Sequence, residues 1–167
     1  AGSITDAKKV KAADVNKDGS VTITDCVAAI DLIAAQTKGA RMNRASAVSV
    51  STNNISASLH DNLLKVNLDN ENHYTAFQMI VTMPEGMTLD KAAIDELRGT
   101  DHQLAVRNLG NGQYLVAGYS MGNNELAGNS GCLLTITTNG QDNGDIVISD
   151  IEFATAEAEA YHLAPIT

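Results

Sequence analysis

The spacing of apolar residues along the chain changes near residue 45. Before this point, apolar side chains recur every three or four residues, a spacing that places them along one stripe of an α-helix. Beyond it, apolar and polar residues alternate with a period of two, which is typical of half-buried β-strands. The pattern predicts a helix from about Ile23 to Gln36, followed by a larger β part. The apolar stripe of the helix consists of Cys26, Val27, Ile30, Ile33 and Ala34.

The β part contains four clear alternating stretches, separated by turns rich in glycine and asparagine. Such strands predict a mainly β fold, an antiparallel β-sandwich whose two sheets turn their apolar faces inward. A bulge is expected at Ser149-Asp150, and one or two helical turns are expected between Asp90 and Arg98. The predicted inward residues are Leu64, Val66 and Leu68; Phe77, Met79, Val81 and Met83; Cys132, Leu134 and Ile136; and Ile146, Ile148, Ile151 and Phe153.

The predicted helix is preceded by residues that suit a capping box. Thr22 can accept a hydrogen bond from an early backbone N–H, and Asp25 follows three residues later, as reciprocal capping requires. Gly39 is the expected stop of the helix. These signals divide the chain into a loop–helix part over residues 1–38, a linker over 39–45 and a sandwich over 46–167.

The segment from Asp14 to Asp25 carries short oxygen-bearing side chains at regular positions ahead of the helix. Ca²⁺ is a hard cation that binds six to eight oxygens, and a glycine in the middle of the loop permits the sharp bend that such binding needs. The segment therefore predicts an EF-hand-like Ca²⁺ site. Loop positions one, three, five, six, nine and twelve are Asp14, Asn16, Asp18, Gly19, Thr22 and Asp25.

Position twelve of this loop is an aspartate, where most EF-hands have a glutamate. With this feature, the loop and the helix residues Cys26 to Ile33 resemble the calcium-binding repeat of type I dockerins. The resemblance implies that Val21 points inward as an apolar bridge. It also implies a ligand set in which four residues bind through side chains, one through its carbonyl and one directly or through water: Asp14, Asn16, Asp18 and Asp25, then Ser20, then Thr22.

The resemblance also implies a protein partner of the cohesin or dockerin type. This partner is either a different protein or another copy of this chain. Partner-binding residues would be Ile23 and Thr24, together with Val27 and Ile30 on the helix. Dockerins carry two such repeats, whereas this sequence contains one loop. We therefore expect the apolar stripe to be covered by a repeat upstream in a longer protein, by the rest of this chain or by a partner.

Residues 46–167 are similar to cohesins, the sandwich modules on which dockerins dock. Three segments carry the resemblance: Tyr74 to Met87, Gly112 to Gly118 and Ser130 to Ile136. They match three features of cohesins. These are a strand with an aromatic residue near its start, a later strand that precedes a loop, and a core strand that begins with glycine, a small residue and leucine. Carbohydrate-binding modules share this architecture, so both functions stay open at this point.

Charge is divided unevenly between the two parts. Residues 1–45 hold seven of the eleven basic and five of the twenty acidic residues, which gives them a net charge of +2. Residues 46–167 hold the other four basic and fifteen acidic residues, which gives them a net charge of −11. A nucleic-acid partner is not expected, because phosphate binding requires clustered Lys and Arg side chains. The opposite signs are compatible with attraction between the two parts, within a chain or between chains.

The sequence contains no apolar run of the roughly eighteen residues that a membrane-spanning helix needs, and it does not begin with a signal peptide. Cys26 and Cys132 fall on the predicted helix and a predicted strand, so buried thiols are expected rather than a disulfide. No paired ligand spacing suggests a zinc site.

No catalytic template is present in the sequence, so the protein is not expected to be an enzyme. His60, His73, His102 and His162 lack a neighbouring nucleophile motif. Carboxylate pairs such as Asp95-Glu96 lack an aromatic cleft for a sugar substrate, since the chain has no Trp and only six Phe and Tyr residues. Glu157 and Glu159 are expected on the solvent face of an edge strand.

The sequence favours a secreted or cell-surface assembly module that docks on another protein and is stabilised by Ca²⁺. The alternative is a carbohydrate-binding module of a secreted polysaccharide-degrading protein. Such a module stacks sugars on exposed aromatic rings, and the candidates for this role are Tyr74, Tyr114, Tyr119 and Tyr161. Several tyrosines on one sheet face would favour sugar binding, whereas a flat face of small and polar residues would favour protein docking.

Overall fold

The structure is a computed structural model that describes residues 7–38, 48–50, 54–141 and 144–167. The predicted linker, 39–45, lies outside these ranges. Within them, two helices are followed by ten strands: α1 Ala7–Ala13, α2 Ile23–Lys38, β1 Val48–Val50, β2 Asn54–His60, β3 Leu63–Asp69, β4 Ala76–Thr82, β5 Thr88–Ile94, β6 His102–Gly110, β7 Gln113–Ser120, β8 Cys132–Asn139, β9 Val147–Ala154 and β10 Ala160–Leu163.

The strands form two sheets that face each other. The larger sheet has the order β1-β10-β9-β4-β7-β6, and the smaller has the order β2-β3-β8-β5. Neighbouring strands are antiparallel except for β1, which pairs with β10 in parallel. The predicted mainly β, two-sheet sandwich is confirmed.

The core lies between the sheets and follows from the alternation of apolar residues. Val66 and Leu68 of β3 and Met79 and Val81 of β4 have no exposed surface. Aromatic rings fill the centre, where the Tyr74 and Phe153 ring centroids lie 4.8 Å apart and those of Phe77 and Phe153 lie 5.9 Å apart. Because the core residues come from strands far apart in sequence, the inward phase of each strand is fixed by the opposite sheet.

The predicted bulge in β9 is present. Gln78 of β4 pairs with Glu152, but Ile80 pairs with Ser149, so β9 contains an extra residue between these pairs. Asp150, the residue at the bulge, adopts the left-handed backbone conformation with a φ of +48°. The bulge allows both Ile148 and Ile151 to face the core although they are three residues apart.

Three expectations about the β part are wrong. The segment from Asp90 to Arg98 is not helical, because β5 continues to Ile94 and pairs with β8, and only a turn follows it. Glu157 and Glu159 lie in the connection between β9 and β10 rather than on an edge strand. Cys132 is half-buried, and Leu133 occupies the buried position next to it.

Candidate functional site

The loop–helix unit, defined here as residues 7–38, consists of α1, the loop and α2. The expected capping box is present at the start of α2. The Thr22 Oγ1 atom accepts a hydrogen bond from the Thr24 N–H at 3.3 Å, and the Asp25 Oδ2 atom accepts one from the Thr22 N–H at 2.8 Å. Both contacts satisfy N–H groups that lack partners within the helix, so they fix the residue at which α2 begins.

The backbone of the loop bends where the sequence predicts. Gly19 has a φ of +95°, and Lys17 has a φ of +63°. Glycine adopts this left-handed region without a steric cost, whereas lysine does so only where the surrounding loop compensates it. These two bends turn the chain back toward the start of α2.

Four of the predicted metal-binding residues lie together in the loop. Asp14 accepts hydrogen bonds from the N–H groups of Asp18 and Gly19, both at 3.1 Å. The Asn16 amide donates to Asp18 Oδ2 at 2.8 Å, and Asp18 Oδ1 accepts the Ser20 N–H at 2.8 Å. Asp14, Asn16, Asp18 and the Ser20 backbone are therefore brought together.

The other two predicted ligands have different surroundings. Asp25 is buried and closes the loop, since its Oδ1 atom accepts the N–H groups of Val15 at 2.7 Å and Asn16 at 3.2 Å. Thr22 donates its hydroxyl group to Glu152 of β9, at 2.8 Å. Hydrogen bonds thus connect five of the predicted ligands within one loop, whereas the Thr22 hydroxyl bonds to Glu152 of the sandwich.

The chemistry of the loop suits a hard cation, because all the candidate donors are oxygen atoms. Among the residues that the structure describes, no three side chains of the His, Cys, Asp and Glu types are grouped so that they would hold a metal ion by themselves. A Ca²⁺ site here would combine the carboxylates with the Asn16 amide and backbone carbonyl oxygens. Calcium binding by Asp14, Asn16, Asp18, Ser20, Thr22 and Asp25 stays a prediction.

The first two turns of α2 pack on the outer side of the six-stranded sheet. Ile23, Val27 and Ala28 form a buried apolar cluster with Ala76 of β4 and with residues of β9 and the turn after it, Ala154 and Ala158. We name the sheet side of this contact the acceptor face and define it by Ala76, Gln78, Ala117, Tyr119, Glu152 and Ala154. Its alanines leave room for a helix to approach closely, because they project only a methyl group from the sheet.

Two polar side chains of the acceptor face contact the start of α2. Glu152 accepts the Thr22 hydroxyl, and the Gln78 Oε1 atom accepts the Ile23 N–H at 3.1 Å. Gln78 and Glu152 lie directly opposite each other on β4 and β9. The face therefore presents two neighbouring acceptors to two neighbouring donors of the loop–helix unit.

The predicted partner-binding residues lie at or near this contact, and their role toward a partner stays a prediction. Ile23, Thr24 and Val27 are buried, with exposed fractions of 6%, 0% and 1%, and Ile30 is half-buried. In this structure Ile23 and Val27 pack on the same chain's sandwich, while the Thr24 hydroxyl contacts Thr22 and Asn16 of the loop. Of the three covers expected for the apolar stripe, the rest of this chain is the one observed, and it covers the beginning of the stripe.

Farther along α2 the stripe is open at Ile33, which is 66% exposed, and the neighbouring Leu32, outside the stripe, is 42% exposed. Val21, which the dockerin resemblance placed inside the loop, is 46% exposed. This placement is therefore wrong, since the loop interior is occupied by polar contacts to Asp25 instead.

The aromatic residues do not form an exposed platform. Tyr74 and Tyr114 belong to the core, with exposed fractions of 0% and 7%. Tyr161 packs on that core, and Tyr119 packs beside the α2 contact. All six Phe and Tyr residues of the chain are accounted for in these two clusters, so the stacking surface that sugar binding favours is missing from the described residues.

One group of residues contains the three side-chain types of a hydrolytic triad. Ser120 and His102 are neighbours on β7 and β6, and the Ser120 hydroxyl donates to Asp101 at 2.6 Å. Ser120 is buried, however, and its oxygen accepts the N–H groups of Gly122 and Asn124, so it organises the turn after β7. This geometry does not provide a serine activated by histidine.

Burial also shifts the pKa values of three ionisable side chains, one histidine and two cysteines. Burial lowers the pKa of His102, although the nearby Asp101 charge opposes this, and burial raises the pKa of the Cys26 and Cys132 thiols. Both cysteines are free thiols, as expected, although each is only half-buried. Raised thiol pKa values do not suit a nucleophilic role.

Two contact residues were not anticipated from the sequence. Glu152 and Gln78 occupy the outward phase of their strands, where a polar side chain is ordinarily solvated. α1 was also missed, although Ala and Lys in Ala7–Ala13 favour a helix. Neither helix in the described part of the chain is long and apolar enough to cross a membrane.

The fold of the sandwich is that of cohesins, as three solved structures demonstrate. A non-cellulosomal cohesin from Archaeoglobus fulgidus matches with a TM-score of 0.54 and 13% identity, over 69% of this chain and 88% of that one. A cohesin module from a Clostridium perfringens family 33 glycoside hydrolase matches with a TM-score of 0.52 and 11% identity, over 71% and 93%. A type I cohesin–dockerin complex from Clostridium thermocellum contains a chain with a TM-score of 0.52 and 8% identity, over 74% and 95%.

No protein-family model matches the sequence, and no curated protein matches it either. The identities to the solved structures are low, so the similarity establishes the cohesin-like fold and no activity.

Proposed function

We propose that this chain is a non-catalytic protein-docking module of the extracellular space, in which the acceptor face of a cohesin-like sandwich receives a loop–helix unit. The observation that carries the proposal is the burial of Ile23 and Val27 against Ala76 and Ala154, together with the contacts of Gln78 and Glu152. The complex from Clostridium thermocellum, a cohesin bound to a dockerin, supports docking as the role of such a fold.

The size of the apolar contact is sufficient for reversible docking. Burying an Ile or Val side chain contributes about 1.5–3 kcal/mol each, and a hydrogen bond contributes about 1 kcal/mol net. An intramolecular contact of this strength stays mostly closed, yet it opens often enough to exchange with a competing unit. The unit that docks is either the chain's own or that of a second copy or a related protein.

The loop gives the unit its rigid start. Ca²⁺ would bind Asp14, Asn16, Asp18, Ser20 and Asp25 directly and Thr22 through water, since the Thr22 hydroxyl is used for Glu152, and it would neutralise carboxylates that otherwise repel one another. A fixed loop holds Thr22 and Ile23 where the acceptor face meets them. Calcium is thus a structural cofactor in this proposal.

Complementation between two variants tests the docking. In a helix variant, Ile23→Lys with Val27→Lys prevents α2 from packing, while the acceptor face stays intact. In a face variant, Ala76→Arg with Ala154→Arg blocks the face, while the loop–helix unit stays intact. Since the altered surfaces carry the same charge, they repel each other, and only the two native surfaces can pair.

We expect the two variants to form a one-to-one complex when mixed, measured by native mass spectrometry and sedimentation, whereas each alone stays monomeric. Added salt should weaken the complex, because the charges of residues 1–45 and 46–167 differ in sign. As a matched control, Gln103→Arg with Ala105→Arg places the same charges on exposed positions of β6 and should form no complex with the helix variant. If the first pair forms no complex either, the acceptor face is not a docking surface.

The carbohydrate-binding alternative makes a different prediction. Its support is the sandwich architecture, and the burial of Tyr74 and Tyr114 weighs against it. Saturable binding to a glycan array by the wild-type chain, with no complex between the variants, would favour sugar binding over docking.

A further inference from the structure

Glu152 is a carboxylate in an unusual position. It lies on the outward side of β9, where solvent would normally surround it, yet only 4% of its surface is exposed, because the loop–helix unit covers it. A buried carboxylate is costly unless hydrogen-bond donors compensate it. Its partners in the described residues are the Thr22 hydroxyl at 2.8 Å and the His162 Nδ1 atom at 3.8 Å.

The direction of the hydrogen bonds around Thr22 follows from this contact. An ionised carboxylate only accepts hydrogen bonds, so the Thr22 hydroxyl donates its proton to Glu152. The Thr22 oxygen then accepts from the Thr24 hydroxyl at 2.7 Å, and the Thr24 oxygen accepts from the Asn16 amide at 3.3 Å. A chain of directed hydrogen bonds therefore connects the acceptor face with the loop.

We infer that Glu152 is the specificity-determining residue of the acceptor face and selects loop–helix units that carry a hydroxyl group at the residue preceding the helix. A unit with an apolar residue there would cover the carboxylate without supplying its donor, so the face would reject it. Gln78 cannot discriminate in this way, because it accepts a backbone N–H that almost every residue has. This inference rests on the proposed function, that the acceptor face is a docking surface.

Hydrogen–deuterium exchange of the full chain, followed by mass spectrometry of the α2 peptide, tests the inference. An isolated helix of this length is marginal in water, so slow exchange of α2 reports its docking. The β4 peptide provides an internal reference for the sandwich. Thr22→Val removes the hydroxyl group at nearly constant shape, and Thr22→Ser restores it.

We expect Thr22→Val to accelerate exchange of α2 by about tenfold, the effect of one lost hydrogen bond to a charged group, while β4 stays unchanged. Thr22→Ser should stay close to the wild type. In a Glu152→Leu background the effect of Thr22→Val should shrink to that of the lost helix cap, since the buried carboxylate that needs the donor is gone while the Thr24 N–H still loses its acceptor. If Glu152→Leu does not fold, Glu152→Gln replaces it, and the effect of Thr22→Val should then shrink in the same direction. Glu157→Gln, an exposed carboxylate in the turn after β9, is the matched control and should change nothing.

The outcomes separate the two proposals. If α2 of the wild type exchanges as fast as an unfolded segment, there is no docking, and the proposed function fails. If α2 is protected in the wild type but Thr22→Val has the same effect with Glu152 as without it, docking is real and Glu152 does not select the unit.

Discussion

His102 shows how a single buried side chain makes stability depend on pH. It is half-buried on β6, and burial lowers its pKa because the charged imidazolium loses solvation. In the unfolded chain its pKa returns to about 6.5. Below that pH the unfolded state binds more protons than the folded state, so the free energy of unfolding falls as the pH is lowered.

Replacing this histidine should therefore flatten the pH dependence. We expect His102→Asn to reduce the loss of stability between about pH 6.5 and pH 5, although the loss of packing lowers stability at every pH. Urea unfolding at a series of pH values measures the effect. His60→Asn is the matched control, because the side chain of His60 is 91% exposed. Equal slopes in the wild type and in His102→Asn would show that another group is responsible.

Another residue-scale feature, Arg98, was not foreseen from the sequence. It lies in the turn after β5 and is 3% exposed, and its guanidinium donates to Asn70 Oδ1 at 2.6 Å and to the Ser130 carbonyl at 3.2 Å. Burial lowers its pKa, while the charges of Asp69 and Asp95 act in the opposite direction. One cation thus joins three connections at the same end of the sandwich. An arginine in a polar stretch of sequence is ordinarily exposed, so only the structure reveals this role.

At the scale of elements, the proposed role of calcium concerns the loop and α2. If Ca²⁺ binds the folded loop only, a hundredfold excess over the dissociation constant adds about 2.7 kcal/mol to the stability of the unit. We therefore expect calcium to raise the thermal midpoint of the transition that includes α2, measured by circular dichroism. Asp14→Ala with Asp18→Ala should abolish this increase.

The control for the calcium experiment keeps the same change of charge away from the loop. Asp90 and Asp145 are exposed on the sandwich, so Asp90→Ala with Asp145→Ala should leave the calcium response intact. A calcium response that persists in the loop variant would place the binding site elsewhere.

Strands were predictable where neighbouring residues carry the signal. The alternation around Leu64, Phe77 and Ile148 is local, and each stretch became a strand with the expected inward side. Between Asp90 and Arg98 the signal failed, because Ala, Lys, Glu and Leu favour a helix while pairing with β8 favours a strand. Tertiary pairing outweighs a propensity of a few tenths of a kcal/mol per residue.

At the scale of the whole molecule, the sequence revealed the two parts but not the contact between them. The apolar stripe of α2 indicated that something must cover it, and the open alternatives included the rest of the chain. The contact itself joins Thr22 with Glu152, 130 residues apart, and it uses alanines that carry no distinctive pattern. Such a surface becomes visible only when the sandwich is assembled, since β4 and β9 are adjacent in the sheet and distant in the chain.

The arrangement explains why the predicted partner-binding residues are buried. Ile23, Thr24 and Val27 were identified as contact residues for a cohesin-type surface, and this chain contains such a fold. The intramolecular contact occupies the acceptor face and the first turns of α2 at the same time. Any partner of either surface must therefore compete with the chain's own unit, which sets a threshold for its affinity.

Methyl NMR of residues 1–167 tests most directly that the loop–helix unit docks on the acceptor face. The account predicts nuclear Overhauser contacts from the methyl groups of Ile23 and Val27 to those of Ala76 and Ala154, and a mixture of labelled and unlabelled chains tells whether they arise within one molecule. Random-coil chemical shifts for α2, with no contact to either alanine, would contradict the account.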